Sequence, residues 1–115
     1  MDAPAVVPEV GPDEASELVE AGAVLLDVRL VDEWEVGHAP QALHLPLAEL
    51  GARYQSLAPE RRIVAVCRTG ARSEKAAAAL IGAGYDAVNL AGGMQAWAAV
   101  GLPVVTDTGD AGGVL

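Results

Sequence analysis

Cys67 is the single cysteine of this 115-residue chain, and the stretch "CRTGARS" sets two arginines, a glycine and a serine directly behind it. It closes a short apolar run, Ile63 to Val66, and precedes a segment from Ser73 to Ile81 that reads as a helix. A chain that leaves a strand, turns tightly and enters a helix can aim successive backbone N–H groups inward as an anion-binding nest. The start of the helix adds free N–H groups and partial positive charge, and Gly70 gives the turn the conformational freedom it needs. A thiolate at the mouth of such a cradle is itself the anion being stabilised, so Cys67 is expected to ionise more readily than an ordinary thiol. Arg68 and Arg72 would add fixed positive charge. These features describe an activated nucleophile that needs no histidine base. The plainer alternative is that Cys67 is a small buried hydrophobe, the usual fate of a free cysteine. The strand–turn–helix setting, the flanking arginines and Gly70 favour the nucleophile.

Loop length separates two chemistries. Phosphatases with a cysteine nucleophile place five residues between Cys and Arg, whereas Arg72 follows Cys67 after four and is succeeded by Ser73. The tighter cradle suits one added sulfur atom better than a tetrahedral phosphate with three oxygens.

The elements that must hold this loop alternate between strand and helix. "VVPEV" reads as a short strand and "GPDEASELVEAG" as a helix, with Pro12 at a first helical position, Asp13 and Glu14 at the positive end of the dipole, and Gly22 as the stop. "AVLLDV", "RIVAV" and "DAVNL" are apolar runs of strand length, which marks strands buried on both faces. "RLVDEWEVGHAPQ" is a loop with one helical turn near Asp32 to Glu35, "ALHLP" a short strand, "LAELGARYQSL" a short helix, "GGMQAWAAVG" a glycine turn and helix, and "LPVVT" an edge strand. The alternation implies an α/β domain with a mainly parallel sheet. Such sheets bind ligands outside the carboxyl ends of their strands, where Cys67 falls.

Composition sets the bounds. The length suggests one domain, read as residues 6–106 with a flexible arm at 1–5 and a disordered tail at 107–115. A hydrophobic share of 52% with no Phe implies a core of Val, Leu, Ile and Ala. No apolar run reaches the roughly 20 residues of a membrane span, the N-terminus shows no signal peptide, and a lone Cys forms no internal disulfide, so a reducing, cytoplasmic setting is expected. A formal net charge of −9 argues against nucleic acid as a partner. On so acidic a surface, a site for a small anion needs its own positive patch.

At this point the residues resemble a family. "LLDVRLVDEWEVGHAPQALHLPLAEL", "CRTGARS" and "GYDAVNLAGGMQAW" with "GLPV" are similar, in order and spacing, to the blocks of the rhodanese-like domains, specifically the stand-alone single-domain sulfurtransferases. The resemblance spans about residues 7–105. It implies a five-stranded, mainly parallel sheet with helices on both faces. It implies that Cys67 attacks the outer sulfur of a donor such as thiosulfate, releases sulfite and carries a persulfide, with the backbone N–H groups of the loop Arg68, Thr69, Gly70, Ala71, Arg72 and Ser73 holding the anion. It implies no metal and no organic cofactor. With no second cysteine, the persulfide must pass to an external thiol or a partner protein.

The resemblance gives Asp27 and Arg29 a supporting role through ion pairing at the sheet edge, and His38, in "GH", a structural one. His44, Trp34 and Trp97 read as packing or rim residues, Lys75 as a solvated charge, and "LAGGMQAW" as a tight turn, since it lacks the G-K-[ST] of a phosphate loop. Gln41 and Ala39 depart from the family's commoner Gly and Ile without touching the chemistry. Having both Arg68 and Arg72 favours anionic donors, thiosulfate above a neutral polysulfide or mercaptopyruvate. The competing functions are a regulatory or protein-interaction module, a sulfur carrier feeding a partner, and a phosphatase or arsenate reductase on the same fold, which the short loop disfavours.

Overall fold

The computed structural model describes residues 6–115; the arm expected at 1–5 lies outside the described residues. The elements run β1 (Glu9–Val10), α1 (Pro12–Glu20), β2 (Val24–Asp27), α2 (Val31–Val36), β3 (Leu43–His44), α3 (Leu47–Arg53), β4 (Ile63–Val66), α4 (Ala71–Gly82), β5 (Ala87–Leu90) and α5 (Gly93–Ala99). The five strands form one sheet in the order β1-β5-β4-β2-β3, and every pair is parallel. β4 lies at the centre, and every residue of β4 and β5 is buried. That burial on both faces is why these strands read as continuous apolar runs.

Helices cover both faces. On one, Ala65, Cys67 and Ala87 pack with Leu50 of α3 and Ala76, Ala77 and Leu80 of α4. On the other, Leu25, Val64, Val66, Val88 and Leu90 pack with Ala15 of α1 and Met94 and Trp97 of α5. Ala76 and Ala77 are wholly buried, so small side chains let α4 approach the sheet closely and set its first turn over the end of β4.

Two expectations are corrected at the C-terminal end. "LPVVT" does not join the sheet: Val105 instead makes isolated antiparallel bridges to His38 and Ala111. Residues 107–115 are not a disordered tail. The chain turns at 106–110 and folds back, with Gly112 N–H donating to the Val104 carbonyl and Gly113 N–H to the Val36 carbonyl. Backbone bonds and close backbone approach hold this strap, and Val114 packs against the core. A Cβ on Gly37 would collide with the Gly113 carbonyl. Among the described residues, no helix is long and apolar enough to cross a membrane.

Candidate functional site

The centre of the site is the turn from β4 into α4. Helix α4 starts at Ala71, two residues before the expected start, so Arg72 and Ser73 stand in its first turn and Gly70 caps it with φ +120°. Only glycine takes that conformation without strain. The Gly70 carbonyl accepts the Glu74 N–H at 3.1 Å, while the Gly70 N–H donates to Cys67 Sγ at 3.1 Å. The Ser73 hydroxyl lies 3.3 Å from the same sulfur. Cys67 is 1% exposed, so the turn closes tightly around Sγ. Burial pushes the thiol up, but the Ser73 hydroxyl and the backbone N–H groups of Ser73, Gly70 and Thr69 outweigh it, and the net displacement is below the ordinary thiol value. Donors that favour the anion thus overcome desolvation.

The outer wall of the turn is built by α5. Met94 N–H donates to the Cys67 carbonyl at 2.8 Å and Gln95 N–H to the Arg68 carbonyl at 3.1 Å. These are first-turn amides with no partner inside their own helix. Gly93, at φ +60°, passes so close to the same two carbonyls that a Cβ there would fall inside them.

The two arginines are used differently. Arg68 is exposed, and its guanidinium has no hydrogen-bond or ion-pair partner among the described residues. Arg72 Nη1 and Nη2 donate to Glu33 Oε1 and Oε2 at 2.7 and 2.9 Å. Glu33, in α2, also accepts the Leu30 N–H at 3.1 Å. The bond from Arg72 is the main reason its carboxyl sits at about 2; burial opposes it, and the Leu30 N–H and the charges of Arg72 and Arg29 reinforce it. Both arginines are expected from the sequence to attract anions, but the structure commits the charge of Arg72 to an internal pair. Thr69 and Ala71 are exposed beside Arg68.

Asp27 ends β2 directly beside Val66 in the sheet register. Arg29 folds back on it, with Nε 3.0 and 3.1 Å from the carboxylate oxygens and Nη2 2.8 Å from Oδ2, both side chains fully buried. Arg29 Nη2 also reaches the Gly37 carbonyl at 2.8 Å, and the Arg29 carbonyl lies 2.8 Å from His44 Nε2. The pair therefore binds the end of β2 to the segments around α2 and β3 and makes no hydrogen bond to the cysteine loop. His38 stacks on Trp34 with ring centroids 3.5 Å apart, and both His38 Nε2 (2.9 Å) and Trp34 Nε1 (3.1 Å) meet Asp107 Oδ1 on the C-terminal strap. Among the described residues no cluster of His, Cys, Asp and Glu is arranged to hold a metal ion.

Three contributors to the site are not evident from the loop's own sequence. Glu33 had a signal, as the acidic residue of "EW" in the first block. Asn89 had one too: a lone amide inside the buried strand "DAVNL" needs partners. It finds them in the Gly70 carbonyl, Glu9 and Ser73. The turn at Gly92 and Gly93 gave no sign that it touches the loop.

Comparison with known proteins places this arrangement. The family model described as the Rhodanese-like domain matches residues 11–100. A protein of Allochromatium vinosum named sulfurtransferase is 42% identical over 87 residues, which are 75% of this chain and 81% of that protein. Among solved structures, a rhodanese-related protein from Thermoplasma volcanium superposes with a TM-score of 0.82 at 28% identity, covering 87% of this chain and 99% of the other. A thiosulfate sulfurtransferase from Pseudomonas aeruginosa gives a TM-score of 0.80 at 28% identity, covering 95% of this chain but 22% of that larger protein.

Proposed function

The chain belongs to the rhodanese-like domain family, and from that premise we propose that it moves a sulfane sulfur from a small anionic donor, thiosulfate, to an external acceptor through a persulfide on Cys67. The observation that carries the reading is the Cys67 sulfur itself, which accepts the Gly70 N–H at 3.1 Å, faces the Ser73 hydroxyl at 3.3 Å and is held below the ordinary thiol value in spite of burial. A sulfur so placed is a ready nucleophile. The kinship with a sulfurtransferase and the fold shared with a thiosulfate sulfurtransferase support the same chemistry.

In the first half-reaction the Cys67 thiolate attacks the outer sulfur of thiosulfate. A new S–S bond forms as the donor's S–S bond breaks, and the electron pair leaves with sulfite. The loop N–H groups from Arg68 through Ser73 hold the terminal sulfur anion, and exposed Arg68 meets the donor's negative charge. In the second half-reaction an external nucleophile, a small thiol or a partner protein, attacks the terminal sulfur. The persulfide bond breaks and its electron pair returns to Cys67. Since Cys67 is the chain's one cysteine, no internal thiol can take the sulfur. A reducing, cytoplasm-like compartment suits a thiolate that must be regenerated free at each turnover.

The test is mass measurement after incubation with thiosulfate. We expect the wild type to gain one sulfur atom, lost again on adding cyanide, and Cys67→Ser to gain none. No gain in wild type, or an equal gain in the variant, overturns the reading. Aryl-phosphate hydrolysis measured alongside is expected to be absent.

A further inference from the structure

Asn89 has no part in the sulfur-transfer steps above, yet it is the buried amide nearest to the reacting sulfur in the hydrogen-bond network. It is 1% exposed. It pairs in register with Ala65 of β4, two residues before Cys67, so the period-two alternation of the strand sends its side chain to the α4 side of the sheet. Its Nδ2 donates to the Gly70 carbonyl at 3.0 Å and to Glu9 Oε2 at 3.1 Å, and its Oδ1 accepts from Ser73 Oγ at 2.6 Å. A flipped amide would set its oxygen against a carbonyl and a carboxylate, so the partners fix Oδ1 toward Ser73.

Ser73 has one hydroxyl proton. Three acceptors lie within reach of it: Asn89 Oδ1 at 2.6 Å, and Cys67 Sγ and the Gly70 carbonyl each at 3.3 Å. The Gly70 carbonyl already takes the Asn89 Nδ2 bond at 3.0 Å and the Glu74 N–H at 3.1 Å, so Asn89 Oδ1 is the main competitor of the sulfur. A neutral sulfur is a weak acceptor, and an amide oxygen takes the proton from it easily. A thiolate is a charged acceptor, whose hydrogen bonds are roughly twice as strong as neutral ones. We propose that Asn89 is a positioning residue that gives the Ser73 hydroxyl its closest alternative acceptor, so that its proton follows the charge on Cys67: it lies on Asn89 Oδ1 while the sulfur is neutral and turns to Sγ when the sulfur is a thiolate. The inference rests on the persulfide reading for its place in turnover. Persulfide formation converts Sγ from a thiolate to a neutral bridging sulfur, and the hydroxyl turns to Asn89. Discharge breaks the S–S bond, returns the electron pair to Sγ, and the hydroxyl turns back. No proton is transferred; the hydroxyl rotates about its own C–O bond. The donor therefore stabilises the state in which charge is on Sγ, and no buried hydroxyl is left unpaired in the other state.

The experiment titrates the Cys67 thiolate by its ultraviolet absorbance, with Cys67→Ser as the blank. The charged groups around the loop are Arg72 with its partner Glu33, Asp27 with Arg29, exposed Arg68, and Glu9 behind Asn89; none changes in the central comparison. Asn89→Ala removes the shortest competing acceptor and leaves only the Gly70 carbonyl at 3.3 Å, so the midpoint is expected to fall by about half a pH unit or more. Ser73→Ala is expected to raise it, and in the Ser73→Ala background Asn89→Ala is expected to have no effect. A midpoint that rises or stays put in Asn89→Ala, or a fall that persists without Ser73, overturns the proposal. Should Asn89→Ala fail to fold, the exposed Glu9→Gln replaces it, since a neutral partner makes Asn89 a weaker competitor. Its smaller fall is expected to shrink without Ser73, and an equal fall in both backgrounds overturns the proposal. The titration uses no sulfur donor, so its result stands apart from sulfur uptake. An unaltered mass after thiosulfate together with the expected titration would refute the sulfur-transfer reading and keep the hydroxyl switch.

Discussion

Replacing Glu33 with Gln probes how the loop arginine is held. Glu33 takes two bonds from Arg72, at 2.7 and 2.9 Å, and one from the Leu30 N–H at 3.1 Å. Led by the Arg72 bond, these lower its carboxyl from 4.5 to about 2 against the opposing effect of burial. The folded value lies below the unfolded one, so the stabilisation is fully present above the unfolded value and drains away as pH falls toward 2. Linkage makes the part lost by about pH 3 roughly 2 kcal/mol. The Arg72 side chain is 36% exposed, and solvent screening brings the figure to about 1 kcal/mol. Glu33→Gln has no such carboxyl to titrate. Urea unfolding of both proteins at about pH 6 and about pH 3 is expected to show the wild type losing about 1 kcal/mol more than the variant, and a Tm difference that narrows by about 4 °C over the same interval. A difference between the two proteins that is the same at both pH values would refute the claim that the ionised pair holds Arg72.

Two further predictions follow from the same geometry. Arg68→Ala is expected to raise the thiosulfate KM by about twofold to fivefold, as loss of one exposed cation costs up to about 1 kcal/mol, while Arg72→Ala changes KM less and lowers stability more; equal KM effects would show that both charges reach the donor. Gly93→Ala is expected to cost about 2–4 kcal/mol, from the positive φ and the collision with the Cys67 and Arg68 carbonyls, and a thermal melt matching the wild type would show that the turn yields.

The residues that could be read from sequence are those whose partners are near in sequence or whose neighbours repeat with a period. Cys67, Gly70 and Ser73 fall within seven consecutive positions, so the cradle announces itself as "CRTGARS". The buried strands announce themselves as apolar runs, and the α/β alternation gives the parallel sheet. What stayed hidden depends on distance along the chain. Arg72 and Glu33 are 39 residues apart and Asn89 and Glu9 are 80 apart, so nothing local says that the first charge is already paired or that the amide closes on the loop. The C-terminal strap was misread for a partly different reason. Its bonds come from the backbone around Gly112 and Gly113 and from Asp107, whose partners Trp34 and His38 are 73 and 69 positions away, and neither leaves a local hydrophobic pattern to find.

The glycine turn before α5 illustrates how the hidden part completes the visible one. In a trans peptide the carbonyl and the following N–H point in opposite directions. When Met94 and Gln95 draw the Cys67 and Arg68 carbonyls toward α5, the N–H groups of Arg68 and Thr69 are turned away from α5. The Thr69 N–H is among the groups that lower the Cys67 thiol. The inward amides therefore follow not only from the loop's own residues but from an outside helix that satisfies the outward carbonyls. That helix must approach within a distance that only a Gly at position 93 allows. The paired glycines, which in the sequence looked like a tight turn without chemistry, are the opposing wall against which the anion cradle is held open.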